Sequence, residues 1–256
     1  MNDRDLTSGR GLTAERQLVS EACRILAARG LADGILGHIS LRISEDTLLV
    51  RCRGPREQGL LHTTPDDIHL VDLDGKPGDV GELEGGWSTP NELPLHTEVL
   101  RARPDVTAVV HAHPVAVVAA DLAGLAIRPI IGAFDIPGTR LAAGGVPVHP
   151  RGVLIRNRRL AGEMTRSLGT RPAVVLRGHG LTSTGSCVEE AVLRAISIDT
   201  IARLSLTITQ AGGTLQDLPP EDLRELPDLG SGFNHDTAWR HELTRVHASQ
   251  PGGAPA

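Results

Sequence analysis

At 256 residues, 40% hydrophobic and 22% charged, the chain has the size and composition of a globular protein with a sizeable core, in one large domain or two small ones. A formal net charge of −5 supplies no basic field for nucleic acid or an anionic membrane, so the expected partner is a small molecule. With two Phe, two Trp and no Tyr, the core must be aliphatic, and the chain cannot supply a phenol to chemistry.

After a polar start, "TAERQLVSEACRILAARG" predicts an amphipathic helix with Thr13 as its cap, Leu18, Ala22, Ile25 and Leu26 on one face, and Gly30 at its close. "HISLRI" and "DTLLVRC" have strand patterns, and "HTTPDDIHLVDLDG" predicts a loop into a third strand that ends in an Asp-Gly turn. The Gly-rich "GDVGELEGGW" leads to "STPNELPLHTEVLRARPDV", where one proline opens a helix and another follows it. "VTAVVHAHP" predicts a buried strand and "PVAVVAADLAG" a short helix closed by Gly124, whereas residues 125–150 show only short apolar runs. "NRRLAGEMTRSLG" predicts a helix before the strand "AVVLRGHG", and "CVEEAVLRAISIDTIARLSLTITQAGG" predicts a long helix. A loop-rich stretch, a last helix over "HDTAWRHELTRVH" and a frayed "GGAPA" complete the chain. Alternating strands and helices without repeats or a linker predict one α/β domain over residues 1–256, with a core at about 13–212 and an extension at 213–256.

No apolar stretch reaches the ~20 residues that span a bilayer, and the polar start lacks the order of a signal peptide. Cys23, Cys52 and Cys187 form neither a disulfide framework nor a metal knuckle. The expected location is the cytoplasm.

The chemistry concentrates in "VVHAHP". In an extended segment residues i and i+2 share a side, so His111 and His113 can aim their rings at one point. His179, in the Gly-flanked "RGHG" at another strand exit, is a third candidate. Three imidazoles with an open position form a catalytic rather than a structural zinc site. The plain alternative is a pair of histidines ending a strand in water. Glu92 is also two-sided. In "TPNE" it fits the N3 position of a capping box begun by Thr89, or it is a carboxylate available for proton transfer or coordination.

Together, Glu92, His96, "ARPDVTAVVHAHP" and "RGHG" resemble the class II aldolase/adducin family over roughly residues 13–212. The resemblance implies a three-layer α/β/α fold with a central, mostly antiparallel sheet, a homotetramer with sites between subunits, and a divalent metal ion. It assigns His111, His113 and His179 to the metal and Glu92 to acid/base catalysis. Zn²⁺ heads the metals suited to this donor set, with Mn²⁺, Co²⁺ and Fe²⁺ as alternatives. Where sugar-phosphate members have Gly-Asn and a Ser-Ser before the glutamate, this chain has Gly37-His38 and Pro90-Asn91, and it lacks the aldolases' tyrosine.

The pattern "GHIS…RGP…LLHTTPDDIHLVDLDG" looks more like the family's decarboxylase branch, which acts on hydroxylated aromatic dicarboxylates such as 3,4-dihydroxyphthalate or a hydroxypyridine dicarboxylate. On that resemblance a metal-bound phenolic oxygen assists carbon–carbon cleavage, and His38, Arg51, Arg53 and Arg177 are candidates to hold substrate carboxylates. An aldolase or epimerase acting on a small hydroxy-carbonyl compound, and a non-enzymatic adducin-like module, are the other readings. His149, His62 and His69 are expected at the surface or on backbone, and Glu189 and Glu190 as first-turn helix charge.

Overall fold

The computed structural model of the chain describes residues 11–78 and 82–248. The polar N-terminal tail, part of "GDVGELEGGW" and the "GGAPA" end lie outside them. Seven strands form one sheet: β1 (His38–Arg42), β2 (Thr47–Arg51), β3 (Ile68–Asp72), β4 (Ala108–Ala112), β5 (Val148–His149), β6 (Ala173–Leu176) and β7 (Gly180–Gly185). Their order is β3-β2-β1-β4-β7-β6-β5. Every pairing is antiparallel except β5 with β6.

Strand alternation sends side chains to two aliphatic cores. Ile39, Leu49, Ile68, Ala108, Val110 and Val175 meet α1 (Thr13–Ala28), α3 (Val115–Leu122) and α6 (Val188–Gln210) on one face. Leu48, Val50, Val109, Val174 and Leu176 meet α2 (Leu93–Ala102) and α5 (Arg158–Leu168) on the other. The result is the expected three-layer arrangement. In the stretch that the sequence left open, α4 (Ile136–Ala142) begins at Asp135, whose carboxylate accepts the Gly138 N–H at 2.9 Å. α7 (Pro220–Glu225) and α8 (Ala238–Ala248) follow α6, and no helix among the described residues is long and apolar enough to cross a membrane.

β7 is absent from the sequence expectation. "GLTSTG" carries Thr and Ser where a core strand is expected to be aliphatic, yet all six of its residues are buried. Its hydroxyls find internal acceptors: Ser183 donates to the Ala191 carbonyl at 2.7 Å and Thr184 to the Pro172 carbonyl at 3.0 Å. At Gly180 any Cβ would sit 2.3 Å from the Ala112 carbonyl oxygen, so only glycine lets β7 close onto β4.

The C-terminal helix is tied to the first one. Arg29, at the end of α1, donates from Nε to Glu242 Oε2 at 2.6 Å and from Nη2 to Oε1, and Glu242 is buried. Glu242→Ala leaves a guanidinium only 29% exposed without its partner. It is expected to cost about 2 kcal/mol in urea unfolding, below the figure for a fully buried pair because water still reaches the arginine. Arg29→Ala/Glu242→Ala should recover part of that loss; a double variant no more stable than Glu242→Ala would show that the pair does not hold α8.

Candidate metal centre

Three adjacent strands bring the histidines together. His38 opposes His111 across β1 and β4, and His111 opposes Thr182 across β4 and β7, so these side chains share the α2/α5 side of the sheet. His113 follows the end of β4, and His179 lies in the tight turn between β6 and β7, where its N–H reaches the Leu176 carbonyl at 3.0 Å. Glu92 arrives from the start of α2. One donor atom from each of Glu92, His111, His113 and His179 lies within 4.8 Å of the others.

The orientation of each ring has a cause. His111 Nδ1 lies 3.0 Å from the Leu181 carbonyl, which can only accept, so Nδ1 carries the proton and Nε2 turns a lone pair toward the cluster. That Nε2 stands 2.8 Å from His113 Nε2 and 3.3 Å from Glu92 Oε2, while His179 Nε2 stands 3.5 Å from the same oxygen. Ligands on a tetrahedral Zn²⁺ at ordinary bond lengths are separated by about 3.3 Å, so the donor set fits a divalent cation of that size. His179 Nδ1 has no hydrogen-bond partner among the described residues. Its turn is gripped instead: Asp121, near the end of α3, accepts the Gly178 N–H at 2.8 Å and Arg177 Nε at 3.1 Å. Gly178 takes φ +58°, which glycine adopts without strain.

Glu92 does not complete a capping box. It occupies the N-cap position of α2 itself, and its side chain caps nothing. Oε1 accepts the buried Ile155 N–H at 2.8 Å, which leaves Oε2 directed at the histidines. Burial opposes ionisation of this carboxyl. Without a cation, protons on the facing nitrogens of His111 and His179 outweigh it and hold Glu92 well below the usual carboxylate range, and a cation bound by those nitrogens' lone pairs would supply the favourable charge in their place.

Burial, reinforced by His111, lowers both His96 and His113 to about 3, so each is neutral at physiological pH, the form that binds metal. Below their ordinary value of 6.5 the unfolded chain takes up protons that the folded chain refuses, so stability is lost as pH falls from 6.5 toward about 3. Chelator-treated protein is expected to unfold at progressively lower urea as the pH drops from about 7 to about 5. A constant midpoint over that window would mean that neither ring is held neutral by the fold.

The arginine expectations divide. Arg51 is opposite Ile68 on β2, and with Ile39, Leu49 and Ile68 it faces the α1 side of the sheet, away from His38 and His111. It is buried there in an ion pair with Glu57. Arg53 lies beyond the end of β2, and its guanidinium reaches the Ile35 carbonyl, at 3.4 Å, beside the loop that enters β1. Arg177 is 52% exposed and paired with Asp121, so it serves the turn that carries His179. Of the four proposed carboxylate holders, His38 packs directly on the cluster, its ring centroid 5.1 Å from that of His111.

Two surface expectations are corrected as well. His149 is buried, with Nδ1 3.0 Å from Ser167 Oγ, because α5 packs over the short edge strand β5 that carries it. His69 is buried beside Glu82, with its ring tilted at 49° to that of Trp87 and 4.5 Å from it.

Ser40, His96 and Asp121 are without a role in the sequence reading. His96 stands four residues after Glu92, a spacing that puts both on one helix face, and Ser40 stands two after His38 on one strand face. Those spacings were the available signals.

Comparisons with known proteins agree with this arrangement. The family described as Class II Aldolase and Adducin N-terminal domain matches residues 17–206. A 3,4-dihydroxyphthalate decarboxylase of Arthrobacter keyseri is 70% identical over 234 residues, covering 91% of this chain and 94% of that protein. One from Rhodococcus jostii is 52% identical over 246 residues, covering 96% and 99%. Among solved structures, an aldolase II superfamily protein from Pseudomonas syringae superimposes with a TM-score of 0.75 at 21% identity, covering 91% of this chain and 92% of that one, which supports the fold. With three strand-end histidines and a helix-borne glutamate inside the matched region, the chain belongs to the class II aldolase and adducin family.

Proposed function

We propose that this chain is a metal-dependent carboxy-lyase that removes one carboxylate from 3,4-dihydroxyphthalate. The observation that carries the reading is the convergence of Glu92, His111, His113 and His179 in a chain 70% identical to a protein named for that reaction. His111, His113 and His179 are the residues to hold the cation, and three imidazoles beside a carboxylate favour Zn²⁺. When bound, such an ion supplies Lewis acidity toward the electron density that builds up as the carbon–carbon bond breaks.

The protein's own part is proton handling and placement. Glu92, ionised and anchored through Oε1, takes a proton at Oε2 from a substrate hydroxyl and returns it to the ring carbon that bears the departing carboxylate. That carbon's bond to the carboxylate then breaks. Its electron pair restores the aromatic ring, and carbon dioxide leaves. His38, on the neighbouring strand, faces the same space and is placed to meet a substrate oxygen.

The same reading extends to assembly. Val115 and Leu122, at the two ends of α3 just past His113, are 71% and 69% exposed, and a second subunit laid over them would bury apolar surface beside the cluster. A homotetramer with sites between subunits is the proposed state, and light scattering measures it.

The deciding experiment is carbon dioxide release. Protein reconstituted with Zn²⁺ should convert 3,4-dihydroxyphthalate to a dihydroxybenzoate with one carbon dioxide per turnover. Hydroxypyridine dicarboxylates serve as competing substrates. Release of an aldehyde from a hydroxy-carbonyl compound without carbon dioxide would replace this reading with aldol chemistry.

A further inference from the structure

His38 belongs to a buried chain of three side chains whose other two members, Ser40 and His96, the chemistry above has not used. Ser40 Oγ lies 2.7 Å from His96 Nδ1, and His96 Nε2 lies 2.7 Å from His38 Nδ1. Ser40 and His96 are fully buried, and His38 keeps a 5% exposed edge. The remaining nitrogen, His38 Nε2, has no hydrogen-bond partner among the described residues and is not among the buried unpartnered atoms.

Donor accounting fixes the direction of this chain. A serine hydroxyl carries one hydrogen, and the only side-chain acceptor within reach of Ser40 among the described residues is His96 Nδ1. If Ser40 donates, His96 carries its proton on Nε2 and passes a hydrogen bond to His38 Nδ1. His38 must then carry its own proton on Nε2. The opposite direction would leave the Ser40 hydrogen buried without an acceptor, the costly outcome for a polar group cut off from water.

We propose that Ser40 and His96 are positioning residues that lock His38 as the Nε2–H tautomer, so that a neutral N–H donor faces the cluster and selects an anionic oxygen of the substrate. The choice of a carboxylate as that oxygen rests on the decarboxylase reading above. The lock has a second effect. His38 is 5.1 Å ring to ring from His111, close enough to compete for a cation, but a nitrogen bearing hydrogen has no lone pair to offer. His38 can therefore crowd the centre without joining it.

The test separates the tautomer from turnover. Long-range proton–nitrogen correlation spectra of the zinc-loaded protein distinguish Nε2–H from Nδ1–H imidazoles, with His38→Gln and His96→Gln providing assignments. The expected result is an Nε2–H pattern for both rings; an Nδ1–H pattern for His38 would overturn the proposal, whatever the variants do. Ser40→Ala should loosen the His38 pattern and raise KM for 3,4-dihydroxyphthalate about tenfold with kcat changed less than about threefold, at unchanged zinc content. An unaltered His38 spectrum and KM in Ser40→Ala would remove Ser40 from the chain. His38→Gln, which keeps an N–H near the position of Nε2, should retain more affinity than His38→Asn; the reverse order counts against the donor role. A protein inactive on 3,4-dihydroxyphthalate but with His38 as Nε2–H would sink the substrate reading and leave the tautomer lock standing.

Discussion

His113→Ala is expected to purify with little bound metal and to lose about 10³-fold or more in carbon dioxide release. Its Nε2 lies 2.8 Å from His111 Nε2, among the four donor atoms that meet at one point, so removing it leaves two imidazoles and a carboxylate. Loss of residues that merely orient a metal ligand weakens binding by about 10–100-fold, and loss of a ligand costs more. Lewis-acid assistance worth several kcal/mol goes with the metal, and each ~1.4 kcal/mol is a factor of ten in rate. The fold should survive, because His113 lies past the end of β4 and outside both apolar cores. Metal analysis, circular dichroism and turnover on one preparation make the comparison. Full metal content with normal turnover would take His113 out of the ligand set.

Glu92→Gln should lower kcat by about 10²–10⁴-fold, the range that positioned proton transfer contributes. Glutamine keeps an oxygen where Oε1 accepts the Ile155 N–H, so the backbone anchor remains. What it loses is the charge at Oε2, which faces His111 and His179. A capping role predicts about 1 kcal/mol of stability and no special effect on turnover. The structure gives that role no support, since Glu92 is itself the N-cap residue and its carboxylate caps nothing. Urea unfolding of the variant separates the two effects, and near-normal kcat would exclude Glu92 from proton transfer.

What could be read in the sequence followed from periodicity. Gly30, at φ +71° just past α1, closes that helix as its pattern implies, whereas Thr13 lies inside it and Leu12 takes the N-cap without a side-chain bond; the i, i+2 spacing of "HAH" put two rings on one side of a strand. β7 escaped because its buried face is made of hydroxyls, whose suitability depends on acceptors contributed by Ala191 and Pro172, and those are visible only once the chain has folded. Arg51 shows a different limit. Which face of the sheet it takes depends on the register that sets Ser40 against Val50, and a shift of one residue would have turned it toward the histidines. His149 and His69 were expected outside because histidine is often exposed, and each was buried by the layer packed over it.

α3 is more than a connection. It starts immediately after His113-Pro114 and, eight residues long, ends one residue past Asp121, whose carboxylate grasps the turn bearing His179. The two jaws that carry the imidazoles are thus joined by a rigid strut of set length. Their gap is set by the β4–β7 pairing that puts Ala112 opposite Leu181 and is braced from outside by one short helix, so the outer strands β2 and β3 or the C-terminal helices could drift without prising the jaws apart. Adding or deleting one residue within α3 would rotate Asp121 by about 100° and release its grip on the second jaw, even though every metal-facing side chain remained in the sequence.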